Sequence, residues 1–397
     1  MKKGWQCKHI GDLCEVVAGQ SPEGKFYNTD GKGMPFYQGK KDFGEKFIED
    51  PTTWTTQTTK KARAGDILMS VRAPVGPVNF ATDEVCIGRG LAAIRSSAGL
   101  NRDFLFYQLL HLQPEIAGRE GAVFASINKS EIEALPMALA PLPEQQRIVG
   151  ILDEAFEGIA TVKANAERNL QNVRAIFESH LQSVFTQRGP GWDRVTLETL
   201  LERKWIEGHL DGNHGGDYPR KQEFIREGVP YISANCLDDE RVDMSRAKYL
   251  SSGRAARLRK GVAKDNDVLF AHNATVGPVA ILRTEEEKVI LGTSLTYYRC
   301  NRKHILPEYL AHYMRSFGFK EQYLQVMRQS TRNQVPITKQ REFWHVIPPL
   351  EDQQRIIRVL DGLLENSRRL QYVYQRKLVV LEALKKSLLH QAFTGQL

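Results

Sequence analysis

The side chains in this sequence whose types suit a ligand are cations and carboxamides placed beside turns. In the first part of the chain they are Lys40, Lys41, Lys60, Lys61, Arg63, Arg72 and Arg89. Further on they are Arg220, Lys221, Asn235, Arg254, Arg257, Arg259, Lys260, Asn273, Arg332, Asn333 and Gln334. Arginine and lysine complement phosphates and guanine edges, and asparagine and glutamine complement adenine edges, so the set points to nucleic acid. Arg254 to Lys260 is the densest patch, with four cations in seven residues. Each of these residues taken alone also fits a solvated surface, and the patch also fits a solvated helix face.

Sequence patterns that make bonds are missing. Gly19-Gln20-Ser21-Pro22-Glu23-Gly24-Lys25-Phe26 imitates a phosphate-binding loop, but Phe26 stands where a magnesium-holding hydroxyl belongs and no helical periodicity follows. No Gly-x-Gly-x-x-Gly opens a strand-helix-strand unit, and no Gly-x-Ser-x-Gly or His-Glu-x-x-His occurs. The Asn-Pro-Pro-Tyr or Asp-Pro-Pro-Tyr of amino-methyltransferases is absent too, since Ile347-Pro348-Pro349-Leu350 only leads into a helix. His209 and His214 have no cysteine or carboxylate set at ligand spacing and read as a loop pair. The expectation is a chain without an active site, a cofactor site or a metal site of its own.

Composition sets the bounds. The chain has 397 residues, 41% apolar and 26% charged, with a net charge of +8, which allows two or three domains and a local basic patch. Five scattered cysteines without a Cys-x-x-Cys pair suit reduced structural thiols. No apolar run reaches the roughly 18 residues of a membrane span, and no apolar stretch follows the first lysines as in a signal peptide. The expected location is cytoplasmic, with no membrane partner.

The elements that position these residues follow from a repeat. Pro141 to Phe185 returns as Pro349 to Phe393 at a constant offset of 208, with 15 of 45 positions identical and no gap. Gln145-Gln146-Arg147-Ile148 becomes Gln353-Gln354-Arg355-Ile356, and Leu152-Asp153 becomes Leu360-Asp361. From Ile148 onward, apolar or small residues recur every three or four positions, which predicts a long amphipathic helix in each copy. Pro143 and Glu144 suit the first helical turn. Gly189-Pro190-Gly191 and Gly395 are the predicted stops. A helix of roughly 38 residues would reach roughly 57 Å. Two such seams bury each other most simply as an antiparallel pair; the other reading is long core helices embedded in a globule.

Preceding each helix is a globular unit of mixed strand and helix pattern. Gly4-Trp5 recurs as Gly191-Trp192, Gly33-Met34-Pro35-Phe36 as Gly228-Val229-Pro230-Tyr231, and Asp66-Ile67-Leu68 as Asp267-Val268-Leu269. Val75-Gly76-Pro77-Val78 and Phe104-Leu105 recur as Val276-Gly277-Pro278-Val279 and Tyr309-Leu310. The offset drifts from 187 to 205, as expected when loops diverge over a kept framework. Asn101 to Leu112 reads as a short amphipathic helix. The predicted class is α+β: two copies of a mixed α/β unit, 1–140 and 189–348, separated and joined by helices in 141–188 and 349–397 that pack as an antiparallel coiled coil.

This two-copy plan resembles the specificity subunit of type I restriction–modification systems. The residues that carry the resemblance are Leu142-Pro143-Glu144-Gln145-Gln146-Arg147-Ile148, Leu350-Glu351-Asp352-Gln353-Gln354-Arg355-Ile356 and the ending Ala392-Phe393-Thr394-Gly395-Gln396-Leu397. Gly65-Asp66-Ile67-Leu68 also fits, though its second copy has Asn266 in place of the glycine. The resemblance implies that each globular unit is a target recognition domain reading one half of a bipartite, asymmetric site in double-stranded DNA. It also implies that the helices set half-site spacing and dock two methyltransferase subunits, with restriction subunits completing the complex. Gln145, Gln146, Arg147, Gln353, Gln354 and Arg355 are then candidate partner contacts. S-adenosylmethionine, ATP and magnesium would belong to the partner subunits. The competing readings are a coiled-coil adaptor without sequence readout, and a DNA methyltransferase or nuclease with unfamiliar motifs.

Overall fold

A computed structural model describes residues 4–117, 126–187, 189–213, 215–238, 240–329 and 332–397; His214 lies outside them. The chain divides into two compact units, Met1–Arg168 with Tyr374–Leu397, and Asn169–Val373.

In the first unit an antiparallel sheet runs in the order Cys14–Ala18, Leu91–Ser96, Ile67–Ser70 and Val78–Phe80. A mixed five-stranded sheet follows the order Tyr27–Asn28, Trp54–Thr55, Met34–Tyr37, Val85–Ile87 and Lys61–Ala62, with Phe36 and Tyr37 parallel to Cys86 and Ile87. Strand Gln6–His9 pairs with Pro136–Leu139, just before the long helix. The second unit repeats the plan. Its antiparallel sheet is Ile206–Asp211, Leu295–Cys300, Val268–Asn273 and Thr275–Ile281. Its mixed sheet is Phe224–Ile225, Lys248–Leu250, Val229–Ile232, Val289–Leu291 and Val262–Ala263, and Asp193–Thr196 pairs with Trp344–Ile347.

One turn explains why Gly65-Asp66-Ile67-Leu68 recurs with a different first residue. Gly65 has φ +85° and Asn266 has φ +69°, a left-handed conformation that glycine enters freely and asparagine tolerates. The next carboxylate is buried in both copies. Asp66 accepts the Arg63 amide at 2.8 Å and a bidentate fork from Arg95 at 2.9 and 2.7 Å. Asp267 accepts the Lys264 amide at 2.8 Å and the Arg299 fork at 2.9 and 2.7 Å. A bidentate arginine is the geometry that makes a buried carboxylate tolerable.

The helices differ from the sequence expectation in extent. They run Leu142–Thr186 and Leu350–Thr394, 45 residues each. The first has Pro143 and Glu144 in its first turn, as expected, and ends before Gly189, whereas Gly395, at φ +77°, directly follows the second. Within the first unit Ile148 and Leu152 share a core with Leu389, Ala392 and Phe393, and Lys163 Nζ meets Glu382 at 3.1 Å. Within the second unit Leu181 and Phe185 share a core with Ile356 and Leu360. Residues early in one helix meet residues late in the other, which is antiparallel packing. The helix Arg102–Ala117 is not amphipathic as expected: six consecutive residues from Phe104 to Leu109 are buried, because sheet, chain end and long helix cover it on all sides. No helix among the described residues is long and apolar enough to cross a membrane.

Candidate nucleic-acid interface

The candidate site of each unit forms at one end of the antiparallel sheet, where the chain leaves its inner strand. The backbone there is held by the same hydrogen bonds in both copies. Val71 N donates to Gly90 O, and His272 N to Ser294 O; Ile127 N donates to Val71 O, and Val335 N to His272 O. Gly19 N donates to Leu91 O and Gln20 N to Ile87 O, matched by Gly212 N to Leu295 O and Asn213 N to Leu291 O. This register makes Arg72 the equivalent of Asn273, and Arg89 the equivalent of Thr293.

Glycine is required where these segments cross. A Cβ on Gly19 would lie 2.2 Å from Gly88 O, and one on Gly212 would lie 1.9 Å from Gly292 O. The glycine that begins the loop resembling a phosphate-binding motif is thus explained by a close backbone crossing. Gly24 starts a 3-10 turn, Gly24–Phe26, rather than a helix.

In the first unit this end is a groove of about 730 Å³ whose rim carries Arg72, Arg89 and Lys129. Lys129 is held at 3.5 Å from Glu133. Arg72 and Arg89 are exposed, and among the described residues neither guanidinium has a partner. Lys60 gives its carbonyl to Ile87 N, and Gly39, before Lys40, lies against Gly90, so these two lysines belong to the same end. Lys41 bonds Thr52 at 3.1 Å beside Asp42, and Lys61 lies 3.6 Å from Glu84 on the sheet's edge strand. Arg63 is at the opposite end of Ile67–Ser70 from Arg72, so the fold does not bring those two together.

In the second unit Asn273 bridges Gln334 as Arg72 bridges Ser126. Asn333 donates its amide to Ala274 O, bracing the tight turn at Ala274, whose φ is +63°. Arg332 is exposed beside it. Lys260 gives its carbonyl to the Asn213 amide at 2.7 Å, which attaches exposed Arg259 and Lys260 to the same end. The patch from Arg254 to Lys260 is only partly available. Arg254 is bound to Glu223 at 2.6 Å and to Asp217 O at 3.0 Å, while Arg257 is exposed at the end of helix Ser252–Arg257. Arg220 and Lys221 flank the same Glu223, whose carboxylate also accepts the Arg220 amide at 2.6 Å. Asn235 is exposed in the 3-10 turn Ala234–Cys236.

Two of the candidate partner contacts are corrected by burial. Gln145 and Gln353 have no exposed surface. Gln145 accepts Asn101 N at 2.7 Å and donates to Ala140 O at 2.8 Å and Gly99 O at 3.2 Å. Gln353 does the same with Leu306 N at 2.9 Å and with Pro348 O and His304 O, both at 2.8 Å. Each glutamine clasps its own globular unit to the start of its helix, satisfying loop groups that burial would otherwise orphan. Gln146, Arg147, Gln354 and Arg355 stay exposed, with Arg147 paired to Glu144 at 2.7 Å and Arg355 to Asp352 at 2.8 Å. Sequence reasoning missed Thr293 and Lys129, which take their place only through the register that sets them beside Asn273 and Arg72.

Two copies of one sheet-and-helix unit, each with a sheet end of the same backbone pattern and different side chains, define a duplicated recognition module joined by paired helices. The sequence profile of the type I restriction modification DNA specificity domain matches residues 2–170 and 208–372, and the chain belongs to that family. It is 37% identical over 174 residues to the putative type I restriction enzyme MjaX specificity subunit of Methanocaldococcus jannaschii, covering 43% of this chain and 40% of that one. It is 20% identical over 313 residues to the type I restriction enzyme EcoBI specificity subunit of Escherichia coli, covering 75% and 66%. Both matches span less than two thirds of the relative's length. Among solved structures, a chain from work on complex assembly and conformational transition of the type I R-M system superposes with a TM-score of 0.82 at 18% identity, covering 100% of this chain and 99% of that one. The HsdS subunit from Thermoanaerobacter tengcongensis gives a TM-score of 0.60 at 18% identity, covering 100% and 98%. At that identity the likeness concerns the fold.

Proposed function

We propose that this chain is the non-catalytic DNA specificity subunit of a type I restriction–modification complex. The units at 1–140 and 189–348 act as target recognition domains, each reading one half of a bipartite, asymmetric site in double-stranded DNA. The helical segments 141–188 and 349–397 set half-site spacing and dock two methyltransferase subunits; restriction subunits join the full complex. S-adenosylmethionine, ATP and magnesium act in those partners.

The observation that carries the reading is the pair of matching sheet ends built on one hydrogen-bond pattern with different side chains at the tips. A kept backbone with exchanged tips is what reading two different half-sites requires, since base edges are told apart by side-chain donors and acceptors. Docking is supported by apolar residues that the helices leave uncovered. Val379, Val380 and Leu384 are exposed in the first unit, and Leu370, Tyr372 and Val373 in the second. Exposed apolar side chains on helices that already bury another face mark a protein contact.

Mapping methylated adenines in cells that express this chain with its cognate methyltransferase tests the reading. A split motif with a fixed gap, lost when this chain is deleted, is expected. A methylation pattern that ignores the deletion while the partner stays active would overturn it.

A further inference from the structure

The matched rims differ in a way that assigns base chemistry to each half-site. Arg72 leaves strand Ile67–Ser70 at the position where Asn273 ends strand Val268–Asn273, as the paired backbone bonds from Val71 and His272 require. Each is the bridging partner of the segment that returns before the long helix, Arg72 with Ser126 and Asn273 with Gln334. Their side chains have not been used by the fold. Among the described residues the Arg72 guanidinium and the Asn273 and Gln334 carboxamides have no hydrogen-bond partner. This separates them from neighbours of similar type. Arg95 and Arg299 are consumed by Asp66 and Asp267, Arg254 by Glu223, and Asn333 by Ala274.

We infer that Arg72 and Asn273 are the matched specificity-determining residues of the two units, Arg72 taking a guanine in one half-site and Asn273, with Gln334 beside it, an adenine in the other. The guanidinium fork fits the two major-groove acceptors of guanine, O6 and N7. A carboxamide fits the acceptor and donor of adenine, N7 and N6. Exchange of one for the other at the same backbone position changes the preferred base without changing the fold beneath it. At the equivalent positions Arg89 and Thr293 a cation in one unit is likewise replaced by a hydroxyl in the other.

This inference rests on the reading of the chain as a DNA specificity subunit, and one experiment separates the two. Full-length Arg72→Ala, Asn273→Ala and Arg63→Ala chains are each expressed with the methyltransferase, and methylated adenines are mapped as for the wild type. Arg72→Ala is expected to lower discrimination at one guanine of one half-site by on the order of tenfold. The other half-site and the gap should stay intact. Asn273→Ala should relax one adenine position in the other half-site. Arg63→Ala, exposed at the far end of the same strand, should leave the motif unchanged, which controls for loss of charge. Arg72→Lys keeps the charge without the fork and should relax the same guanine, so a general phosphate role for Arg72 would appear as wild-type discrimination in this variant. A wild-type split motif that persists unchanged in the Arg72→Ala and Asn273→Ala chains overturns the inference alone. A wild-type map with no split motif overturns the reading beneath it as well.

Discussion

The two units fill one equivalent core slot with opposite chemistry. In the first, Val16, Ala92, Ile94 and Ile132 are buried together, and Val16 lies opposite Ile94 in the sheet. In the second, the register puts His209 opposite Tyr298, and Thr296 follows on the same face. There Gln340 Oε1 accepts from Tyr298 and Thr296 at 3.0 Å and meets His209 Nε2 at 3.1 Å, while its amide donates to Val335 O at 3.2 Å. Burial holds His209 near a pKa of about 4 against the ordinary 6.5; the Gln340 bond opposes the shift, and Arg341, His345 and His272 add to it. Burial brings His345 to about 4 as well, opposed by its bond to the Phe343 carbonyl. Both rings must stay neutral in the folded unit but take protons once unfolded. Between pH 6.5 and 4 the unfolded chain therefore binds more protons, and stability falls as pH falls through that window, by on the order of 3 kcal/mol per ring. The first unit has the half-buried His111, also lowered by burial, and should lose less. Hydrogen exchange of the full chain at pH 7 and pH 5 checks this: amides around Tyr298 and Gln340 should lose more protection than those around Ile94. Equal loss in both would refute the assignment. None of this polar network was legible beforehand, because its members come from four separate segments. The turn before it was legible in part: Asp66 and Asp267 stood out as a repeat, but only the left-handed φ of Asn266 explains why a glycine was replaceable there.

At the scale of elements, sequence pattern carried most where a period ran long. The helical repeat marked both long helices, and their apolar seam located the buried residues Leu152, Leu360, Leu181 and Phe393. Length was less legible than position. Pro143 and Glu144 located the first turn, where Pro141 O and Pro349 O accept the Gln145 and Gln353 backbone amides, but the apolar seam gave roughly 38 residues where each helix runs 45. Of the mixed sheets, Met34–Tyr37 behind Gly33 and its repeat Val229–Ile232 were readable, but pieces such as Tyr27–Asn28, Trp54–Thr55 and Lys61–Ala62 are two residues long, and alternation cannot be read from two positions. The repeated Gln145 and Gln353 were visible as identities, yet their role was not, because an exposed and a buried glutamine look alike in a sequence. Their clasp gives a direct prediction. Gln145→Leu leaves Asn101 N and the Ala140 and Gly99 carbonyls without their partner, at about 1–3 kcal/mol for each group that water cannot reach. Gln353→Leu should cost the same in the second unit. Equilibrium urea denaturation reads both losses, and a change within about 0.5 kcal/mol, the scale of an ordinary surface substitution, would mean the loops hold without the clasp.

For the whole molecule, the decisive property is that both long helices belong to both compact units. The first passes from one unit to the next after Arg168, and the second returns after Val373. If the helices set half-site spacing, as proposed, then spacing is encoded in helix length and is independent of the side chains at either sheet end. Shortening only one helix would shift its seam against the other, so the informative variant removes four residues from each, around the facing pair Lys163 and Glu382. Four residues correspond to about 6 Å of helix, or roughly two base pairs of duplex, with a rotation of about one ninth of a turn added by the helical pitch. The shortened chain should methylate a motif with both half-sites unchanged and a gap shorter by about one or two base pairs. If the rotation cannot be absorbed, methylation at every spacing should fall while each unit keeps its stability in denaturation. A shortened chain that methylates the wild-type motif at its original gap would show that spacing is set elsewhere, and the ruler role would have to be abandoned.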